Sequence, residues 1–175
     1  MRTTLFVAVI FIITCLFSAA AADAQIKSVY TDIYKSCKTV DKSELDVVRR
    51  CPGVGGYTLL AGYYDERFDI TVINPAKREF RQNYKGLIEG KFSDQQSAKA
   101  EWRVKMVNGK SVPFALIVRL GVQDDSDVPK ETSTLIVSKI SGKSICVTDK
   151  IAPGPGQNEQ ARKAADASAT KPCLL

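Results

Sequence analysis

The sequence predicts a mainly β domain, an antiparallel sandwich or open barrel of about seven or eight short strands with one C-terminal helix. Three observations predict it. Apolar residues recur at the two-residue period of a strand in run after run, as in Tyr57, Leu59, Ala61 and Tyr63. Glycine-rich or polar turns separate these runs at short intervals, which suits local antiparallel pairing. Only the stretch from Gln157 to about Thr170 breaks the pattern, with alanines beside Glu159, Gln160, Arg162 and Lys163 that favour a helix.

The first residues belong to a different category. Arg2 supplies a positive charge, an apolar core runs from Leu5 to about Phe17, and small residues lead to Ala22-Asp23-Ala24. This is the layout of a secretory signal peptide cut before Gln25. The rival readings are a membrane anchor and a lipoprotein through Cys15, whose preceding Thr14 fits poorly. The expected organisation is therefore a signal peptide at 1–24 and one disulfide-stapled domain at 25–175, periplasmic or secreted, with no membrane span after cleavage. Removing Arg2 and Asp23 leaves the net charge at +6. That balance favours anionic surfaces in general through salt-sensitive steering. It specifies no partner, and a dedicated nucleic-acid binder is not what it predicts.

The cut leaves Cys37, Cys51, Cys146 and Cys173. An even count in an exported chain reads as two disulfides, and of the three connectivities the sequence-local one is expected, Cys37 to Cys51 and Cys146 to Cys173. Each would stabilise the fold by about 3 kcal/mol on the chain-entropy account. A zinc site is the rival, but there is no C-x-x-C pair and no histidine.

In chain order, Val29 to Val40 reads as the first strand, Asp41 to Asp46 as a turn, and Val47 to Cys51 as the return. Gly53, Gly55 and Gly56 then bend the chain into a central hairpin, Gly56 to Tyr64 and Arg67 to Asn74. Ala76 to Ser97 has no sustained period and reads as a long irregular connection. Order returns at Ala100, where Trp102, Val104 and Met106 point to one face and Glu101, Arg103, Lys105 and Val107 to the other. Asn108-Gly109 tolerates the positive φ of a type I′ turn, so Val112 to Leu120 folds back, with Phe114, Leu116, Val118 and Leu120 inward. Thr132 to Ile140 and Ser144 to Ile151 make the last hairpin. In the terminal helix Ala161, Ala164, Ala165 and Ser168 lie along one small-residue face.

Several of these residues, taken in order, carry a resemblance. They are Cys51, Gly53, Gly56 and Tyr57; the corner Asp65-Glu66-Arg67; Glu101-Trp102-Arg103 followed by Pro113-Phe114-Ala115; and Cys146, Gln157-Asn158, Ala161-Arg162, Ala164-Ala165-Asp166 and Cys173. The chain resembles an uncharacterised family of small exported proteins of Gram-negative bacteria, chiefly alphaproteobacteria. The resemblance implies an exported protein with this cysteine layout and carries no activity. Glu66 and Phe68 depart from the small or apolar residues more usual in the family's corner.

For function, the absence of histidine removes the commonest general base and every Ser-His or Cys-His arrangement. The expectation is a binding module, not an enzyme, that contacts another envelope protein, with inhibition of an envelope enzyme as one form. Its candidate contacts are Asp65 and Arg67 at the corner and Arg103 on the strand, since arginine is enriched in protein hot spots. The alternative is an anionic polymer or nucleic acid held by Lys77, Arg78, Arg81 and Lys85, which interleave with aromatic residues. A third reading is a hydrolase using Asp65 with Glu66 or Asp69, or the Asp124, Asp125 and Asp127 loop. That loop lacks the EF-hand glycine, so neither metal nor cofactor is expected.

Overall fold

The computed structural model describes residues 25–44, 46–64, 67–93, 99–123 and 130–175. The expected signal segment, the corner residues Asp65 and Glu66, and the acidic residues Asp124, Asp125 and Asp127 lie outside the described residues. The strands are β1 (Ile26–Asp32), β2 (Lys38–Lys42), β3 (Val47–Pro52), β4 (Thr58–Tyr64), β5 (Arg67–Ile73), β6 (Glu79–Arg81), β7 (Lys91–Ser93), β8 (Lys99–Val107), β9 (Lys110–Gln123), β10 (Glu131–Ile140) and β11 (Ile145–Ile151), followed by helix α1 (Gln157–Asp166).

All pairings are antiparallel and form two sheets. The first has the order β1-β8-β9-β10-β11, with β7 also on β9; the second is the meander β2-β3-β4-β5-β6. Because β10 occupies one edge of β9 through Gln123, β7 shares the opposite edge with β8. The sheets end in separate edge strands, so the domain is a sandwich and not a barrel. Leu59, Ile70, Val72, Trp102, Leu116, Val118, Leu120 and Ile136 fill the space between them. Trp102 is fully buried, and its Nε1–H donates to Thr31 Oγ1 at 2.9 Å, which satisfies the one polar atom of that ring.

Three expectations are corrected. The run Val29 to Val40 is two strands, because Asp32 Oδ1 accepts the N–H groups of Tyr34 (2.7 Å) and Ser36 (3.1 Å). This carboxylate turn ends β1 and carries the chain across the sandwich, so that β2 starts in the other sheet. Burial opposes ionisation of Asp32, but the three backbone N–H groups of Tyr34, Ser36 and Lys35 prevail and lower its pKa. The stretch Ala76 to Ser97 is also more ordered than its sequence suggests. It carries β6, a 3₁₀ turn at Tyr84–Gly86 and β7, pinned by the buried rings of Tyr84 and Phe92. Finally, Phe114 faces away from the inter-sheet core. Arg103 pairs with Ala115 but Val104 with Pro113, a β-bulge that gives β9 one extra residue and turns Phe114 to the outer side.

The other expected features are present. Asn108 (φ 49°) and Gly109 (φ 72°) form the β8–β9 turn. Both sequence-local disulfides, Cys37–Cys51 and Cys146–Cys173, are formed. The first ties β2 to β3; the second ties the C-terminal segment to β11, where Leu174 N–H also donates to Val147 O. Helix α1 is followed by a 3₁₀ turn, Ser168–Thr170, and buries Ala161, Ala165 and Ser168. It lies on the outer face of the first sheet, against Ala115, Ile117, Leu135 and Val137. Small residues on the helix allow that close approach.

Candidate functional site

Of the residues singled out for binding, Arg103 has a structural role. It stands on β8 beneath α1, and its Nε and one terminal nitrogen donate to the two oxygens of Asp166, each at 2.8 Å. Its other terminal nitrogen donates to Ser28 Oγ at 2.6 Å, and that hydroxyl donates to Glu101 Oε1. From one turn earlier on the helix, Arg162 donates to Glu101 at 2.7 Å and to the Tyr30 hydroxyl at 2.9 Å. The hydrogen bond it donates to Glu101 raises the pKa of Arg162. At the other end of the helix Arg119 donates to Gln157 Oε1 and Asn158 Oδ1, both at 2.7 Å, and Lys171 pairs with Asp149. The residues of the resemblance at Glu101, Arg103, Gln157, Asn158, Ala161, Arg162, Ala165 and Asp166 therefore meet at one place, the seam between helix and sheet. The i, i+4 spacing of Arg162 and Asp166 was the sequence signal for that seam.

Arg67 on β5 and Arg81 on β6 point to the outer side of the second sheet. Arg67 Nε donates weakly to Gly90 O at 3.4 Å. Asp69 is 6% exposed; its carboxylate accepts from Arg81 Nε (2.7 Å) and from the Tyr84 N–H (3.3 Å). The Arg81 guanidinium also lies 4.9 Å from the centre of the Tyr64 ring. That ring also lies over Gly62, where a Cβ would stand 2.7 Å from Tyr64 Cε2. Burial is the main cause that raises the Tyr64 hydroxyl pKa. Lys77 and Arg78 sit on the turn closed by Asn74, Arg81 on β6 and Lys85 on the 3₁₀ turn. Among the described residues no three His, Cys, Asp or Glu side chains gather as a metal-binding set.

A surface missed from sequence lies where α1 stops short of the β8–β9 turn. Ile26, Lys105 and Val112 are directly opposite one another across β1, β8 and β9 on the face that the helix covers further along. Ile26, Val107 and Val112 are 39, 45 and 46% exposed, and Phe114 is half-buried beside them with Lys105 Nζ 5.4 Å from its ring centre. Val112 continues into a cleft of about 580 Å³ lined by Gly55, Tyr57, Pro75, Lys110 and Pro113. Tyr57 is held at 6.0 Å from the buried Trp102, and burial raises its hydroxyl pKa. Gly55 has φ +62°, and a Cβ there would meet Pro113 Cδ at 2.8 Å, so the bend needs glycine. The central glycine bend thus shapes one wall of a cleft.

Comparison with family models, with curated proteins and with solved structures finds no match. The two disulfides place the chain in an oxidising compartment outside the cytoplasm. No helix among the described residues is long and apolar enough to cross a membrane.

Proposed function

We propose that the chain is an exported binding module, periplasmic or secreted, that docks an acidic-surfaced envelope protein on the β8–β9 end of its first sheet. The observation that carries this reading is the contiguous patch of Ile26, Val107, Val112 and Phe114, which α1 leaves uncovered and which opens into the Tyr57–Pro113 cleft. Apolar side chains interleaved with cations suit a protein partner. Lys105 stands between Ile26 and Val112, and Lys110 is opposite Val107, so the complementary partner brings apolar knobs flanked by carboxylates.

The test uses the exported, oxidised protein with a photo-crosslinking residue at Val107, or at the exposed Lys99 at the far end of β8 as control. A discrete protein adduct from position 107 alone, lost on Val112→Asp and weakened by salt, supports the reading. No adduct, or the same adducts from both positions, overturns it. Sedimentation with anionic vesicles that depends on Val112 would instead assign the patch to a lipid surface.

A further inference from the structure

The register of the second sheet brings together cations that are far apart in the sequence. Lys38 on β2 is opposite Arg50 on β3; Arg50 is opposite Leu60 on β4; Leu60 is opposite Thr71 on β5; and Thr71 is opposite Arg81 on β6. Residues directly opposite share a face, and the inward face is identified by Leu59, Ala61, Ile70 and Val72 of the core. The five residues therefore form one straight row on the outer face, against which no helix packs among the described residues. At the usual spacing of about 4.8 Å between strands, Arg50 and Arg81 are roughly 14 Å apart and Lys38 extends the row by one strand more.

Packing does not account for the row. Lys38 and Arg50 are exposed and have no ion-pair partner among the described residues, and like charges directly opposite one another destabilise a sheet. The exposed Arg81 keeps 60% of its side-chain surface in solvent even while it pairs with Asp69. Between the cations the row presents the half-buried Leu60 and Thr71. Such a surface accepts an extended chain that carries anions at intervals and passes across the strands.

We infer that this row binds a linear acidic polysaccharide, a site independent of the β8–β9 patch. The row decides against single-stranded nucleic acid: Lys38, Arg50, Leu60, Thr71 and Arg81 include no aromatic ring on which a base could stack, and the nearby Tyr64 ring already has the Arg81 guanidinium 4.9 Å from its centre. Cations flanking a hydroxyl and a small apolar step suit carboxylates or sulfates spaced along sugar rings.

The experiment compares the oxidised wild type with Lys38→Gln/Arg50→Gln and with a control of equal charge change, Lys143→Gln/Lys163→Gln. Binding to heparin, polygalacturonate and oligo-dT is measured by titration calorimetry across a salt series, with thermal melts to verify folding. The row variant is expected to lose about tenfold in affinity for the polysaccharides with a shallower salt slope, while the control loses less than about twofold. Equal losses from both variants, or no polysaccharide binding by the wild type, overturn the site. Binding to oligo-dT that exceeds binding to both polysaccharides and depends on Lys38 and Arg50 overturns the ligand class.

Discussion

The two outer faces of the sandwich use arginine and lysine in opposite ways. Beneath α1, Arg103 is locked by Asp166 and Ser28, Arg162 by Glu101 and Tyr30, and Arg119 by Gln157 and Asn158. On the second sheet, Lys38 and Arg50 face solvent side by side, while Arg81 pairs with Asp69. The difference teaches that a basic composition assigns nothing by itself. A cation is a fastener where another element returns over it with acids, and a contact where the sheet is left bare. The decisive variable is topology: the chain ends on the first sheet and so closes that face.

The largest expected effect breaks the fastened face. Glu101→Ala removes the common acceptor of Ser28 and Arg162 at a site whose side chain is 11% exposed, and is expected to cost about 3 kcal/mol in urea unfolding. Arg50→Ala on the open face is expected to stay within about 0.5 kcal/mol. Equal costs would erase the contrast.

A smaller effect probes the one stack on the open face. Gly62→Ala pushes a Cβ against the Tyr64 ring, displaces it from Arg81, and is expected to cost about 1 kcal/mol. Tyrosine absorbance during an alkaline titration then reports a Tyr64 hydroxyl returned towards its ordinary range.

The smallest effect at neutral pH comes from the layer that both faces share. The Tyr84 hydroxyl is fully buried without a hydrogen-bond partner among the described residues, and burial raises its pKa well above 10.0. An unfolded tyrosine ionises near 10.0 while the folded one stays protonated, so the stability present below pH 10 is lost as pH rises beyond it. Tyr84→Phe is expected to change stability by less than about 1 kcal/mol at pH 7 and to flatten the decline above pH 10, read from urea midpoints at both pH values.

Much of the fold was legible because its signals are local. Asn108-Gly109 specifies its own turn, the alternation in β4, β5, β8 and β10 marks one buried face, and the small residues of α1 mark its docking side. What was missed depends on partners distant in sequence. Nothing in Val29 to Val40 says that its two halves belong to different sheets, since the carboxylate of Asp32 makes that break with backbone groups two and four residues on. The bulge that turns Phe114 outward is visible only against β8. Arg103 looked like a contact because Asp166, its partner, lies 63 residues away. The cross-strand row is hidden for the same reason: alternation tells which way Arg50 points but not that Lys38 and Arg81 share its line. Val107 and Val112 were absorbed into strands, where single apolar residues on a polar face attract no notice.

The crossing at Asp32 also sets an order of assembly. Every strand of the second sheet pairs with its neighbour in the chain, so that sheet closes only short loops. β1 must wait for β8, and 73 residues separate Ser28 from the Glu101 it meets. Closing so long a loop costs entropy that only later contacts repay. For a chain emerging N-terminus first, the meander can form while β1 is still a loose end, and β1 is added once the β8–β9 hairpin exists. The strand made first thus waits for the middle of the chain, and its exposed Ile26 and Tyr30 spend that interval without a partner strand.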